Sequence, residues 1–219
     1  MSDDETMKAY YAARAPYYDE VYGKPERRED IAFLRGWLPA AFAGRNVLEV
    51  ACGTGYWTQW IAPAAAAMTA TDATAEPLEL ARGRPGVQAV RFELADAYDL
   101  PENLGRFDAA YAGLWFSHVP IGRRREFLAS LHRRLAPGAR VVFLDNSEVQ
   151  CRELPIAERD AEANTYQLRR LKDGSLHRVL KNFPGRAELE AVVAPFGVNA
   201  VHRELQNFWL FSYDAAPRP

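Results

Sequence analysis

The 219-residue chain has only two cysteines, Cys52 and Cys151. Two are too few for a disulfide framework, and their spacing matches no metal-ligand motif. Neither sign of charge is in excess: 27 Lys+Arg against 29 Asp+Glu leave a net charge of −2. That balance lacks the basic footprint of a nucleic-acid binder. No apolar run reaches the ~20 residues of a membrane-spanning helix. The longest attempt, 61–70, is alanine-rich and broken by Pro63. The first six residues, Met-Ser-Asp-Asp-Glu-Thr, are acidic and polar, unlike a signal peptide. There is no internal repeat, no low-complexity tract, and no Asp/Asn cluster of the kind that holds a divalent metal. With 48% hydrophobic and 26% charged residues, the chain is neither a disordered tail nor a fibre. The expectation is a soluble, cytoplasmic single domain that needs no metal, binds neither nucleic acid nor membrane, and has an oligomeric state the sequence does not reveal.

What is present is alternation. Residues 45–52 form a short apolar run rising into Gly53-Thr54-Gly55, which reads as a buried strand ending in a tight turn. Helical periodicity follows at 56–61, a strand at 68–72 and a helix at 76–82 stopped by Gly83 and Pro85. Strands are expected at 87–94, 107–114 and 140–145, with an amphipathic helix at 123–135 closed by Pro137-Gly138. Strands alternating with helices predict an α/β fold with a doubly wound, mostly parallel sheet. Ligands of such sheets bind at the carboxyl ends of the strands. Gly53, Asp72, Asp96 and the 115–118 segment all follow strands, so all fall on that edge. The tail departs from alternation. Strands at 165–171 and 175–183 flank Lys172-Asp173-Gly174, a helix covers 184–194, and an aromatic strand at 208–213 adds antiparallel to the sheet. An alanine- and tyrosine-rich helix at 9–22 precedes the core.

The glycine turn lets a backbone approach a ligand without Cβ atoms in the way. A dinucleotide site calls for a third glycine where Thr58 stands, and a P-loop calls for Gly-Lys-Ser/Thr, which is missing. A carboxylate at Asp72 accepts hydrogen bonds from a ribose diol, which suits NAD and S-adenosylmethionine equally. Glu49, just before the turn, favours a cationic ligand over a pyrophosphate. Asp96 can accept from an adenine amino group while the Ala97 N–H meets a ring nitrogen. This acidic rim matches a sulfonium bearing an ammonium group better than a dianion.

Glu49-Val-Ala-Cys-Gly-Thr-Gly55, Asp72, Asp96-Ala97, Phe107-Asp108 and Leu135-Ala-Pro-Gly138 resemble, in order, the motifs of class I S-adenosylmethionine-dependent methyltransferases. The resemblance covers about residues 9–145. Tyr10-Tyr11-x-x-Arg14-Ala15-x-x-Tyr18-Asp19, Trp115-x-x-His118-Val-Pro120 and Asp173-Gly-x-x-x-Arg178-x-x-Lys181 are similar to small bacterial natural-product O-methyltransferases, a group that includes phosphonate-methylating enzymes. The resemblance implies S-adenosylmethionine as cofactor and a small-molecule acceptor. It also implies a lid at 9–30, a cofactor-binding core at 45–145 and a substrate-covering insert at 146–183. On this reading Tyr11, Arg14, Glu49, Gly53, Gly55, Trp57, Asp72, Asp96 and Ala97 hold the cofactor, with Arg14 clamping its carboxylate. Tyr18 is read as core packing.

His118 follows the fourth strand, where it would take an acceptor proton or orient the acceptor. If Lys172-Asp173-Gly174 is a three-residue turn with Gly174 left-handed, Leu171 pairs with Ser175 and Arg169 faces His177, with Lys181 on the same face. A two-residue turn would slip the register and separate Arg169 from Lys181. Trp115, Arg169 and Lys181 are therefore the expected acceptor contacts, and a cationic lining suits a carboxylate or phosphonate. Arg170, Arg178 and Arg123-Arg124-Arg125 read as solvated charge. The expected activity is methyl transfer to a small anionic oxygen nucleophile. An N-methyltransferase, a non-catalytic cofactor-binding module and a nicotinamide-dependent oxidoreductase are the competing readings.

Overall fold

The computed structural model describes residues 3–217. Five parallel strands form the centre of the sheet: β1 (Asn46–Val50), β2 (Ala67–Asp72), β3 (Arg91–Leu94), β4 (Phe107–Gly113) and β5 (Leu135–Asn146). The helices between them are α3 (Thr58–Ile61), α4 (Ala75–Arg82) and α5 (Arg124–Arg133), while α1 (Asp3–Arg14) and α2 (Arg28–Phe42) precede the sheet. A small antiparallel sheet of β6 (Glu158–Arg159), β7 (Thr165–Arg170) and β8 (Leu176–Leu180) is inserted after β5. The chain then makes α6 (Arg186–Val193), β9 (Gly197–Glu204) and β10 (Phe208–Ala215), giving the order β3-β2-β1-β4-β5-β10-β9 with β10 antiparallel to both neighbours.

Period-2 alternation divides the core between the two faces of this sheet. Val47, Ala109, Tyr111, Val142 and Leu144 face Ile31, Leu34, Leu38 and Phe42 of α2. Leu48, Ala110, Val141 and Phe143 face Phe127 and Leu131 of α5 and Leu189 and Val193 of α6. Both faces are covered, as parallel strands require.

Several boundaries differ from the sequence expectations. The helix expected at 9–22 is α1 as far as Arg14, then a 3-10 stretch, Ala15–Tyr22. Pro16 lacks the N–H an α-helix needs and disfavours helical geometry in the residue before it. The 87–94 strand is only β3, and Pro137-Gly138 lie within β5, where Gly138 (φ +74°) accompanies a register shift against β4. Helix α2 and strand β9 were not anticipated, although Ile31, Leu34, Leu38 and Phe42 trace one helical face. Arg124 is buried rather than solvated: it bonds Glu188 and lies over the Phe116 ring. No helix among the described residues is long and apolar enough to cross a membrane.

The expected hairpin register is present. Gly174 N–H bonds the Leu171 carbonyl, Leu171 N–H bonds Ser175, and Arg169 pairs with His177. Gly174 has φ +90°, the left-handed position that closes a three-residue turn.

Candidate active site

The carboxyl ends of β1, β2 and β4, with the loop after β3, open into a crevice of about 1060 Å³ that includes space open to solvent. Its floor is the β1–α3 turn, where Ala51 (φ 54°) and Gly53 (φ 56°) are both left-handed. A left-handed alanine is costly and survives only where the surroundings impose it. The Gly53 N–H donates to Asp72 Oδ2 at 2.9 Å, tying the turn to the end of β2. Asp72 Oδ1 accepts from the Thr74 N–H (3.0 Å) and hydroxyl (2.8 Å). A carboxylate offers about four acceptor sites, so Oδ2 keeps one for a ligand hydroxyl.

Glu49 lines the same crevice at 2% exposure, and Thr58 Oγ1 donates to it at 2.6 Å. Burial pushes its pKa up to about 8, so a nearby cation would favour its ionised form. Asp96 receives the Tyr98 N–H at 2.9 Å and Lys8 Nζ at 3.2 Å, with Ala97 buried beside it. Trp57 and Trp115 also line the crevice, and each has a buried indole N–H without a protein partner.

Gly55 does not touch the crevice. Its φ is +73°, and a Cβ there would stand 2.8 Å from Ala81 Cβ. Its missing side chain lets the turn pack closely on α4.

A second chamber, of about 500 Å³, adjoins the first. Tyr11, Tyr18, Leu114 and His118 line both, so these four form the wall they share. Tyr18 is thus part of the site, where the sequence reading had made it core. Leu114, at φ 56°, is another left-handed residue on this wall. Arg14 lines the second chamber and not the first, contrary to the expected cofactor clamp. It ends α1, bonds the Tyr10 hydroxyl one turn back at 3.0 Å and lies over the Tyr18 ring. Trp115 shows the converse, lining the first crevice alone.

Arg169 and Lys181 come together as expected. Arg169 Nη1 donates to the Tyr11 hydroxyl at 3.2 Å, and Gln167 Oε1 receives the rest of its fork. Lys181, 1% exposed, bonds Asp145 at 2.7 Å and Ser117 Oγ at 2.6 Å. Burial pulls its pKa down to about 8 despite Asp145, with Arg169 adding to the drop.

His118 joins these groups. Its Nδ1 lies 2.6 Å from the Leu180 carbonyl, which can only accept, so Nδ1 carries the proton. Nε2 is then the acceptor, and the Tyr11 hydroxyl donates to it at 2.8 Å. Burial first, then Lys181 and Arg169, hold the imidazole well below its ordinary pKa, so it is neutral at pH 7.

Lys24, Arg27, Asn146, Gln150 and Glu153 also line the second chamber. The sequence reading missed all five. They sit on 3-10 turns (Pro25–Arg27, Glu148–Arg152) or at element ends, where no periodicity marks them. Near-zero net charge also concealed the local excess of arginine.

A "Methyltransferase domain" family model matches residues 47–138. The chain is similar to the O-methyltransferase cnsE of Penicillium expansum, 36% identical over 125 residues, covering 54% of this chain and 45% of that protein. It is similarly related to a demethylmenaquinone methyltransferase of Clavibacter sepedonicus, 36% identical over 109 residues, or 49% and 44% of the two chains. The matched region thus spans less than half the length of these two relatives. Among solved structures, a DhpI-SAM-HEP complex superposes with a TM-score of 0.78 at 31% identity, covering 98% of this chain and 97% of that one.

Proposed function

The chain belongs to the class I S-adenosylmethionine-dependent methyltransferases, and we propose that it methylates an oxygen of a small anionic acceptor seated in the second chamber. One observation carries this reading: Arg14, Arg27 and Arg169 line that chamber, and none of them bonds a carboxylate among the described residues. Guanidinium groups withdrawn from water call for an anionic partner. The DhpI complex, whose description names HEP together with SAM, is in keeping with a second ligand besides the cofactor.

The crevice residues fit the cofactor. Glu49 meets its positive charge, the free site on Asp72 Oδ2 a ribose hydroxyl, and Asp96 with the Ala97 N–H the adenine edge. Trp57 and Trp115 supply apolar walls and N–H donors. The bound cofactor supplies a methyl carbon made electrophilic by the adjoining sulfonium. In this reading residues 9–30 form the lid. The ion pairs Arg84–Asp19, Lys172–Glu20 and Lys24–Glu153 hold it down. Residues 146–183 cover the acceptor.

Arg169 and Lys181 bind the acceptor's oxyanion next to the shared wall, so the chain contributes chiefly proximity and orientation. His118 accepts a hydrogen bond at Nε2 from Tyr11 and so holds that hydroxyl on the shared wall. It is a poor proton store, because imidazolium would sit against Lys181 and Arg169. That disfavours an alcohol, which must shed a proton, and favours an oxygen already ionised at pH 7. An amine acceptor would need acids around it, but the chamber's one lining acid, Glu153, is bonded to Lys24.

The test is S-adenosylhomocysteine release with a panel of phosphonates, carboxylates, phenols and amines. Acids should turn over, and Arg169→Met should abolish that turnover while cofactor binding persists. Turnover confined to amines or phenols would overturn the reading, and cofactor binding without turnover on any acceptor would support a non-catalytic module.

A further inference from the structure

Taking the acceptor reading above as its basis, we infer that the second chamber contains a separate anion subsite, built by Arg27, Asn146 and Gln150, so that the acceptor carries two acidic groups. These residues come from three separate segments: the turn before α2, the end of β5 and the turn after it. Each has a buried polar atom without a protein partner: Arg27 Nε, Asn146 Oδ1 and Gln150 Oε1. Arg27 and Asn146 are each 4% exposed. Buried polar atoms are almost always satisfied, and three residues carrying such atoms around one chamber mark a place for a polar group.

Charge decides what that group is. A guanidinium keeps its proton at any ordinary pH, so burial cannot neutralise Arg27. It lies 5.2 Å over the Phe208 ring, a weak substitute for an anion. Glu153, the carboxylate acting on it most strongly, is already bonded to Lys24. An ammonium or a neutral alcohol would leave that charge uncompensated. A carboxylate or phosphonate compensates it, and the amides of Asn146 and Gln150 can turn their NH2 groups to donate.

Position separates this subsite from the reacting one. Tyr11 and His118 line both cavities, and Arg169 reaches that wall by its bond to Tyr11. Arg27, Asn146 and Gln150 line only the second cavity and, among the described residues, bond neither Tyr11 nor His118. One acidic group therefore sits at the shared wall with Arg169 and Lys181, and the other away from the cofactor. Five cations and one acid line the chamber. With Asp145 on Lys181 and Glu153 on Lys24, three guanidiniums remain for the acceptor, more than one carboxylate balances.

The experiment compares one-acid acceptors (methylphosphonate, propionate) with two-acid acceptors (phosphonoacetate, 3-phosphonopropionate, succinate) at saturating S-adenosylmethionine. Two-acid acceptors should be preferred by about tenfold or more in kcat/KM, the size of a charged hydrogen bond. Arg27→Gln should erase that preference through KM, costing two-acid acceptors about tenfold more in kcat/KM than one-acid acceptors. If Arg27→Gln does not fold, Asn146→Asp serves instead: a carboxylate in the subsite should penalise two-acid acceptors more than one-acid acceptors. Equal use of both classes, unaltered by either variant, would overturn this inference and leave the anionic-acceptor reading standing. If neither class turns over while S-adenosylhomocysteine still binds, both fail together.

Discussion

The Tyr11 hydroxyl donates to Nε2 of His118 at 2.8 Å across 107 residues of sequence, while Nδ1 is committed to the Leu180 carbonyl. The first expected outcome follows from this fixed tautomer and from the imidazole's depressed pKa. With an ionised acceptor, kcat/KM should show no limb near pH 6.5. His118→Ala should lower it ~100-fold at every pH, as loss of positioning does. A wild-type rise through pH 6–7 that vanishes in the variant would assign His118 as a general base instead.

Lys181 gives the opposite flank. Its folded pKa is about 8 against the ordinary 10.5, so the cation is lost as pH rises through 8. At saturating cofactor, kcat/KM for an anionic acceptor should fall above pH 8, and Lys181→Arg should remove that fall. The stability sign is reversed. Between pH 8 and 10.5 the unfolded lysine still binds a proton that the folded one has released, so this group's contribution to stability rises with pH. Unfolding titrations in that window would read the rise directly.

Asp145 and Lys181 are 0% and 1% exposed at their side chains. Asp145→Asn leaves a buried ammonium without its carboxylate and should cost about 3–5 kcal/mol in denaturant unfolding. Adding Lys181→Met should recover most of that loss, because the pair is then removed as a unit. An additive double variant would refute the coupling.

The two turn glycines should respond differently. Gly55→Ala drives a Cβ to within 2.8 Å of Ala81 at φ +73°, and should destabilise by about 2–3 kcal/mol through overpacking and strain. A Cβ on Gly53 meets no atom within 4 Å, so Gly53→Ala should cost only about 1–2 kcal/mol from its φ. It should nonetheless weaken S-adenosylhomocysteine binding, because the added methyl stands at the crevice floor. Calorimetry and thermal unfolding of both variants separate the two effects.

The parts legible in the sequence are those set by neighbours along the chain. The apolar period of β1, β4 and β5, the glycine turn and the Asp173-Gly174 hairpin are local, and their chemistry fixes strand, turn and register before anything folds. For that reason Arg169 and Lys181 could be placed on one face, and Asp72 and Asp96 on one edge. Edge strand β9 gave no comparable signal, because most of its residues are exposed and carry no alternation.

Which cavity a side chain enters was decided only in three dimensions. Arg14 was legible as a site residue, yet it lines the second chamber and not the first. Arg27, Asn146 and Gln150 lie up to 123 positions apart in the chain and on segments without periodicity. They share a chamber because the N-terminal turns pack against the end of β5. Sequence alone determined the sheet, its ligand-binding edge and the cofactor's family. The tertiary structure decided the lining of the second chamber, because charge and shape there are summed over contacts that no local pattern encodes.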